Sequence, residues 1–366
     1  MACRTAVDVA VVGAGISGLV CASALQTRYS VAVLEARARV GGRLLSSAGI
    51  DLGGSWSWPP HDQHVARLSK TLHAETVPQR LDGDAFSGAS SVGNFGSQMA
   101  PCGPGAVRIR GGYATLPLAL AAALPEGALE LEATVVSIKA ASEGRIRITY
   151  SRTGVEHELI ARRVVMAVPP GVFASSVSFT PALPIDQLRK QASTATWCGD
   201  WAKVAATFKS PFWRMSGASG VVSTPGPISI WWEGGGGDDL GEETPSLVGL
   251  GVGNDTRSLT RPSEDATEVE AAARAFVIET LGPAFGRELV ESELVSVQQM
   301  VWITEPLTFA PAGTHRDYGH PLLRQATPWG LHFAGTETEA SNGHVDGAIA
   351  AGERVASEVA TALAVA

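Results

Sequence analysis

Three glycines near the start of the chain have the spacing of a dinucleotide-binding turn. Gly13, Gly15 and Gly18 follow the apolar run Val7–Val12 and open an apolar helical pattern. Such glycines allow a tight turn and let backbone N–H groups approach a pyrophosphate at the helix N-terminus. Glu35 follows about twenty residues later, where a carboxylate can accept hydrogen bonds from ribose hydroxyls. The alternative is an ordinary glycine-rich turn, which the flanking strand, the helix and Glu35 make the weaker reading.

Two further side chains could carry chemistry. Lys203 stands in a strand-like run that is otherwise valine, alanine, threonine and phenylalanine, which points to a functional lysine; the alternative is an edge lysine that faces solvent. Lys209, at the end of that run, is expected to be solvated. His344 follows Gly343 just before a helical pattern and could be a ligand, a catalyst or a capping residue. We expect no metal there, because no partner stands at ligand spacing on the same element.

Composition excludes several classes of protein. The net charge of −8 argues against nucleic acid and against an anionic membrane surface as partners. No run approaches the ~18 apolar residues of a membrane helix. The four cysteines are scattered without paired spacing, so neither a zinc site nor a disulfide framework is indicated, and we expect a cytoplasmic protein.

Apolar periodicity places these residues on an alternating framework of strands and helices. Asp62 is a candidate N-cap, Leu81–Gly112 is rich in glycine and serine and predicts a long loop, and a helix should stop at Gly282–Pro283. Strands are predicted at Val7–Val12, Val31–Glu35, Ala133–Ala140, Arg145–Ser151, Glu156–Ala167, Lys203–Phe208, Ile228–Trp232, Leu247–Val252 and Leu331–Ala334, and helices at Asp62–Leu72, Thr115–Leu124, Ala266–Leu281 and Val345–Leu363.

Several segments resemble the flavin amine oxidase family. "EARARVGGRL" (Glu35–Leu44) carries the glutamate, glycine pair and arginine of that family; "DLGGSW", "RIRGGYATLPLAL" and "FAGTETEASNGHVDGAIAAGERVA" resemble three more of its segments in the same order. The resemblance implies FAD, with Arg43 at the phosphates, the Val135 backbone against adenine and Glu337 facing the ribityl or phosphate region. Cofactor contacts are expected from Gly13, Gly15, Ile16, Ser17, Gly18, Glu35, Ala36, Arg37, Gly42, Arg43, Gly53, Gly54, Ser55, Trp56, Val135, Gly335, Glu337, His344 and Val345.

The resemblance also implies catalytic roles. "WAKVAATFKSPFW" is similar to the family's first substrate-domain strand, whose lysine, here Lys203, holds a water beside flavin N5 and helps the reduced flavin react with dioxygen. Trp302 matches a tryptophan near the flavin, and a plain core role has equal weight. The helix from Val345 would point its positive end at the flavin, which favours the charge of a reduced flavin. Because a second dinucleotide fingerprint is missing, we expect the organic substrate itself to reduce the flavin.

Two departures separate this chain from the mammalian monoamine oxidases. Their long helical substrate cap should fall where this chain has only Leu81–Gly112, so we expect a shorter cap and a site that is more open or is closed by a partner subunit. Their flavin is attached to a cysteine that aligns with Pro311, so we expect non-covalent FAD.

A third departure concerns the two aromatic side chains that align the amine in those enzymes. Ala312 and His344 stand at these places, and alanine cannot form a wall. We expect a half-cage, in which His344 packs beside the amine and Trp232 or Trp56 replaces the missing wall. A histidine of ordinary pKa, about 6.5, would repel the amine when protonated.

These observations predict an α/β fold, a Rossmann-like FAD-binding domain with an inserted mixed-sheet α+β substrate domain. The FAD-binding domain would comprise residues 1–80, 105–168 and 302–366, and the substrate domain residues 81–104 and 169–301. The predicted activity is oxidation of a primary, aromatic monoamine to an imine and aldehyde, with the electrons passing through FAD to O2 to give H2O2. The candidate catalytic residues around FAD are Lys203, His344 and Trp302. The alternatives are a desaturase or isomerase of an apolar substrate, and a flavoprotein that turns over nothing. A homo-oligomer is also considered.

Overall fold

The chain opens with a strand–helix–strand unit. The computed structural model describes residues 6–235, 244–260, 265–308, 317–340 and 343–365. In it β1 (Ala6–Val12) leads through the glycine turn into α1 (Ile16–Leu25), and β2 (Val31–Leu34) returns parallel to β1. The valines of β1 and β2 suit strands covered on both faces, and α1 is almost entirely buried, which explains why it is apolar on all sides.

The remaining elements follow in chain order. The other strands are β3 (Ser46–Ser47), β4 (Ile50–Asp51), β5 (Thr76–Pro78), β6 (Asp84–Ser87), β7 (Ser90–Gly93), β8 (Val107–Ile109), β9 (Leu129–Glu130), β10 (Ala133–Ala140), β11 (Ile146–Arg152), β12 (Val155–Met166), β13 (Ser178–Thr180), β14 (Trp201–Phe208), β15 (Ala218–Ser223), β16 (Ile230–Glu233), β17 (Ser246–Val252), β18 (Leu294–Val301) and β19 (Leu331–Phe333). The other helices are α2 (Gln63–Thr71), α3 (Gly96–Met99), α4 (Thr115–Ala122), α5 (Pro170–Ser176), α6 (Ile185–Ala192), α7 (Phe212–Met215), α8 (Ala266–Phe285), α9 (Arg287–Glu293), α10 (Pro321–Arg324) and α11 (Val345–Val365).

The first sheet holds the dinucleotide-binding turn. Within the described residues it has eight strands in the order β13-β10-β11-β12-β1-β2-β9, and β19 pairs with β12 off this path. β10, β11 and the start of β12 form the predicted antiparallel meander. The last residues of β12 instead lie parallel to β1 and β19. The carboxyl ends of four parallel strands, β2, β1, β12 and β19, therefore meet at one edge of the sheet.

The second sheet is mixed, as predicted. In the part of the chain that is described, seven strands run in the order β18-β14-β17-β16-β15-β6-β7, and only the β15–β6 pair is parallel. β14, which carries Lys203, lies between β17 and β18. This sheet packs its own core, separate from the cores on the two faces of the first sheet. The α/β fold class is confirmed.

Several expectations about elements were wrong. The stretch Leu81–Gly112 is not a plain loop, because β6, β7, α3 and β8 lie in it. α8 continues through Pro283 and ends at Gly286, which has φ +91°. Asp62 does not cap α2: its carboxylate accepts from the Trp58 N–H at 2.9 Å, while Asp346 of α11 accepts from the first-turn N–H groups of α2.

The first sheet also extends beyond residue 169, where we expected the second domain to begin. β13 pairs with β10, and Gln187 of α6 donates to the Gln325 carbonyl at 2.7 Å, so this region stays with the first sheet. The division of the chain into two domains itself remains a prediction. Among the described helices none is long and apolar enough to cross a bilayer.

Candidate active site

A cavity of about 520 Å³ lies at the carboxyl ends of the parallel strands of the first sheet. It is mainly apolar, and its volume is in the range of small-molecule sites. Ligands of open α/β sheets bind at this edge. The wall continues from the glycine turn to β14 of the second sheet, so one cavity joins the dinucleotide-binding motif to Lys203.

The three glycines of the turn differ in what a side chain at each position would contact. Gly13 has φ +103°, and a Cβ there would lie 2.7 Å from the Ala167 carbonyl oxygen. A Cβ on Gly18 would lie 2.1 Å from the carbonyl oxygen of Gly13, so Gly18 is required for packing and does not line the cavity. A Cβ on Gly15 would meet nothing within 4 Å, because this residue faces the open cavity. The turn thus presents bare backbone to whatever fills the cavity.

Glu35 supports the turn from the end of β2. One carboxylate oxygen accepts from the Ala14 N–H at 2.7 Å, and the other accepts from the Arg37 N–H at 2.9 Å. The side chain is buried and also lines the cavity. Each carboxylate oxygen can accept a further hydrogen bond, so Glu35 could still receive a ribose hydroxyl.

The partly exposed Arg43 and the buried Glu337 form an ion pair on the cavity wall. Arg43 Nη1 lies 2.8 Å from one carboxylate oxygen of Glu337, and Nη2 lies 3.3 Å from the other. The same Nη1 donates to the Trp197 carbonyl, and Glu337, which is fully buried, accepts from the Trp197 N–H at 3.0 Å. The pair therefore holds the backbone just before β14 against the first sheet.

Lys203 projects from β14 and is buried, which contradicts the alternative of a solvated edge lysine. Its Nζ donates to the Gly53 carbonyl at 2.6 Å and to Ser55 Oγ, and it lies 5.5 Å from the ring centroids of both Trp56 and Trp232. Burial lowers the pKa of Lys203 to about 8, against the opposing charges of Asp51 and Cys198.

His344 lies between two indoles that also line the cavity. Its ring centroid is 5.5 Å from that of Trp58 and 5.2 Å from that of Trp197, and all three residues line the cavity. Burial lowers the pKa of His344, although the carboxylates of Asp62 and Asp346 oppose the shift. The expectation of an ordinary histidine pKa is therefore wrong.

The tryptophans divide between cavity and core. Trp56 lines the cavity, and its ring packs on that of Trp232 at 4.7 Å between centroids; Trp232 stands behind it and is buried. Trp302 lines the cavity and also anchors it, because its Nε1 donates to the Leu52 carbonyl at 2.9 Å. Pro311 and Ala312 lie outside the described residues, so the attachment of FAD and the missing wall of the cage remain predictions.

All the predicted contact residues except Gly18 line this cavity. Sequence reasoning missed Trp197, Cys198 and Trp201, which precede Lys203 and also line it, and it missed the cavity residues of α5. Trp201, two positions before Lys203 on the same strand, was an available signal, because residues two apart on a strand face the same side. Within the described ranges no group of three or more histidine, cysteine or acidic side chains could hold a metal ion.

The residues present fit FAD. Gly15 offers open backbone, Glu35 retains acceptor capacity, and the Nε of Arg37, which lines the cavity, is buried without a hydrogen-bond partner. Arg37 also pairs with Glu305 at 3.3 Å. A buried donor of a charged group that lacks a partner is costly, so the site is suited to an anionic or polar ligand at this point.

Comparison with known proteins agrees with this site. The family model described as flavin containing amine oxidoreductase matches residues 90–360, and that of an NAD(P)-binding Rossmann-like domain matches residues 11–72. The chain therefore belongs to the flavin-containing amine oxidoreductase family: it is a flavin-dependent oxidoreductase of amines, and its cofactor is FAD.

The individual relatives have different named activities, so they do not define the substrate of this chain. The Mycobacterium tuberculosis protein AofH, named as a flavin-containing monoamine oxidase, is 26% identical over 471 aligned positions that cover 98% of this chain and 97% of that one. The L-amino acid dehydrogenase of Synechocystis is 25% identical with similar coverage, 98% and 96%. Bovine flavin-containing amine oxidase B is 28% identical over 64% of this chain and 44% of its own.

Solved structures share the fold. Cyclohexylamine oxidase from Brevibacterium oxydans superposes with a TM-score of 0.79 at 21% identity, covering 98% of this chain and 99% of that one. Wild-type putrescine oxidase bound to putrescine gives 0.77 at 22%, covering 97% and 99%.

Proposed function

We propose that the protein oxidises a primary aromatic monoamine to the aldehyde. The balanced reaction is RCH2NH2 + O2 + H2O → RCHO + NH3 + H2O2. The observation that carries the proposal is the single cavity in which the dinucleotide-binding turn meets a buried lysine and a wall of tryptophans.

Bound FAD supplies the redox chemistry, accepting two electrons and the α-hydrogen of the amine and passing the electrons to dioxygen. The chain's own residues bind the reactants and shape the electrostatics. Lys203 has three N–H donors, and its described contacts to Gly53 and Ser55 use two. The third is available to a water or to dioxygen in the cavity, where the positive charge would stabilise negative charge that develops on oxygen as it is reduced.

The charges of the wall support a monoamine. The carboxylates that line the described cavity are Glu35 and Glu337; the first binds backbone N–H groups and the second is paired with Arg43. Neither is left to bind a second ammonium group. The indoles of Trp56, Trp58, Trp197 and Trp201 offer apolar and aromatic contacts instead, which suit an aromatic substituent.

The electrostatics also support reaction of the neutral amine. Hydride removal from the α-carbon is aided by the nitrogen lone pair, which protonation would block. Because Lys203 carries a buried positive charge that lines the same cavity, and His344 is neutral at pH 7, the positive charge that opposes an ammonium substrate comes from Lys203. Binding therefore selects the unprotonated substrate.

Anaerobic mixing with a panel of compounds tests this function. We expect benzylamine and phenylethylamine to bleach the flavin absorbance, and cyclohexylamine, putrescine and L-phenylalanine to bleach it more slowly at equal concentration. Faster bleaching by putrescine or by the amino acid would reject the monoamine assignment. Bleaching by none of the amines would favour a desaturase, an isomerase or a non-catalytic flavoprotein.

A further inference from the structure

Gln79 stands behind the cavity wall and has a hydrogen-bonding pattern that fixes its orientation. Its Oε1 accepts from the indole Nε1 of Trp56 at 2.9 Å, and its Nε2 donates to the carbonyls of Glu233 at 2.9 Å and Arg80 at 3.1 Å. The flipped amide would set N–H against N–H and oxygen against two carbonyls. Gln79 is buried, so one arrangement is strongly preferred.

The indole that Gln79 holds is one of the two that bracket Lys203. Trp56 and Trp232 pack against each other, and each ring centroid lies 5.5 Å from the lysine Nζ. Trp232 is itself immobilised, because the next residue of β16, Glu233, accepts from Trp213 Nε1 and Arg214 Nε, both at 2.8 Å. Gln79 therefore ties the partly exposed Trp56 to β16, the strand that carries the buried Trp232.

The ammonium of Lys203 has several stabilising contacts. It donates to the Gly53 carbonyl and to Ser55 Oγ, the charge of Asp51 favours its protonated form, and two indole faces lie near it. The indole contacts depend on the angle and distance of each ring. A small rotation of Trp56 would change where the charge sits in the cavity.

We propose that Gln79 is a positioning residue for the oxidative half-reaction: by orienting Trp56 against Trp232, it sets the place of the Lys203 ammonium and thus the rate at which dioxygen reoxidises the enzyme. This inference rests on the proposed oxidase function. A merely structural glutamine would affect stability and leave the rate of reoxidation unchanged.

The test compares two matched substitutions in the FAD-loaded protein. Gln79→Met removes the polar contacts at nearly constant volume, and Gln187→Met removes a similarly buried amide contact between α6 and the Gln325 carbonyl, away from the cavity. After photochemical reduction, the protein is mixed with dioxygen in a stopped-flow instrument. Gln79→Met should slow reoxidation about five- to tenfold, the factor that corresponds to one buried hydrogen bond. Gln187→Met should leave it unchanged.

A double-substitution cycle shows whether Gln79 acts through Trp56. Trp56→Phe keeps a ring but removes the N–H, so Gln79→Met should add little to it, whereas independent effects would multiply. Hydrogen exchange of the ¹⁵N-labelled indole, assigned with Trp56→Phe, should be faster in Gln79→Met than in the parent. Multiplicative rates, or an unchanged exchange rate, would overturn the proposal.

The role of Gln79 can be tested independently of the amine oxidase activity. Photochemical reduction needs no amine, so reoxidation can be measured even if the substrate panel fails. If Gln79→Met does not fold, Trp56→Phe alone must still slow reoxidation with Gln79 intact, and a normal rate would reject the proposal.

Discussion

Lys203 places one positive charge at a buried position on the cavity wall. The indoles of Trp56 and Trp232 and the oxygens of Gly53 and Ser55 surround its Nζ. Desolvation lowers its pKa to about 8, and Asp51 and Cys198 limit the shift. The lysine is consequently charged at neutral pH and loses its proton in mildly alkaline solution, where the loss can be measured.

Substitution of Lys203 should separate the two half-reactions. Lys203→Met should slow reoxidation by dioxygen roughly a hundredfold, the scale of losing one electrostatic donor at a reacting oxygen. Reduction by amine should change far less. In the parent protein the oxidative rate should fall as pH rises through about 8, because the charge is lost. Stopped-flow measurement of both half-reactions checks this.

Lys209→Met is the matched control, since Lys209 donates to the Ser292 carbonyl at the exposed end of β14. It should retain both the rate and the pH dependence. An unchanged oxidative rate in Lys203→Met would mean that Lys203 is only a strand residue.

His344 offers a second titration, on the acid side. Its lowered pKa means that it gains charge only below its ordinary value of 6.5. The carboxylates of Asp62, just before α2, and of Asp346, in the first turn of α11, act against this shift. Once charged, it should donate a hydrogen bond to the lone pair of the bound neutral amine and occupy the electron pair that aids hydride removal, so flavin reduction should fall as pH falls through this pKa. His344→Phe should lose that titration and keep substantial activity.

This prediction is checked by measuring the rate of anaerobic flavin reduction by amine across the acidic pH range, in the parent protein and in His344→Phe. His64→Phe serves as control, because His64 pairs with Glu353 away from the cavity. If the pH profile of His344→Phe matched that of the parent, the histidine would not face the substrate and the half-cage would be rejected.

At the scale of elements, the glycine turn combines a packing position with a binding position. Gly18 lets α1 approach the turn behind it, whereas Gly15 leaves space for the cofactor. Gly15 has φ −69°, which alanine can adopt without strain. The two positions therefore allow stability and binding to be tested separately.

Gly18→Ala should lower the free energy of unfolding of the apoprotein by roughly 1–3 kcal/mol, the usual cost of overpacking. Gly15→Ala should leave that stability near the parent value but weaken FAD binding at least about tenfold, or 1.4 kcal/mol. Denaturant unfolding of the apoproteins and titration with FAD measure both. Equal FAD affinity in Gly15→Ala and the parent would show that the cofactor does not approach this turn.

Local pattern predicted the elements whose pairing is local. β1, α1, β2 and the β10–β12 meander have clear periodicity and pair with near neighbours. β6 and β7 were missed although they pair with each other, because each is only four residues long with little apolar alternation, and the other partner of β6, β15, is remote in sequence. β18 was missed as well, since Gln298 and Gln299 interrupt its apolar run.

The residues of the site also could be predicted only where their signal is local in the sequence. Lys203 could be predicted because a charge isolated in an apolar strand is a local signal. Trp197 could not, since its place depends on Arg43 and Glu337, which are each well over a hundred residues away. The hydrogen bond from Trp56 to Gln79 likewise has no signature in the sequence.

At the scale of the molecule, the chain is shorter than the relative AofH. The alignment with AofH spans 471 positions, more than the 366 residues of this chain, so AofH contains stretches that are missing here. That the substrate cap is the part reduced remains a prediction. Whether a partner subunit closes the cavity, and whether the protein is cytoplasmic, remain predictions.

FAD should co-purify and leave the protein on denaturation. We expect acid precipitation to release all of the yellow colour to the supernatant, because proline stands at the position that aligns with the attachment cysteine of mammalian relatives. Absorbance of supernatant and pellet measures it. Flavin that stays with the precipitated polypeptide would establish a covalent link.

The packing of α11 against α1 bears on how the protein is made. Gly352 lies so close to the carbonyl of Ser17 that a Cβ would be 2.5 Å from it, and β19 completes the sheet beside β12. A ribosome releases these last elements long after the glycine turn has emerged. We therefore expect the nascent α1 to wait for most of translation with an uncovered apolar face, needing chaperone protection, and the cofactor to be loaded only after synthesis of the chain has passed residue 352.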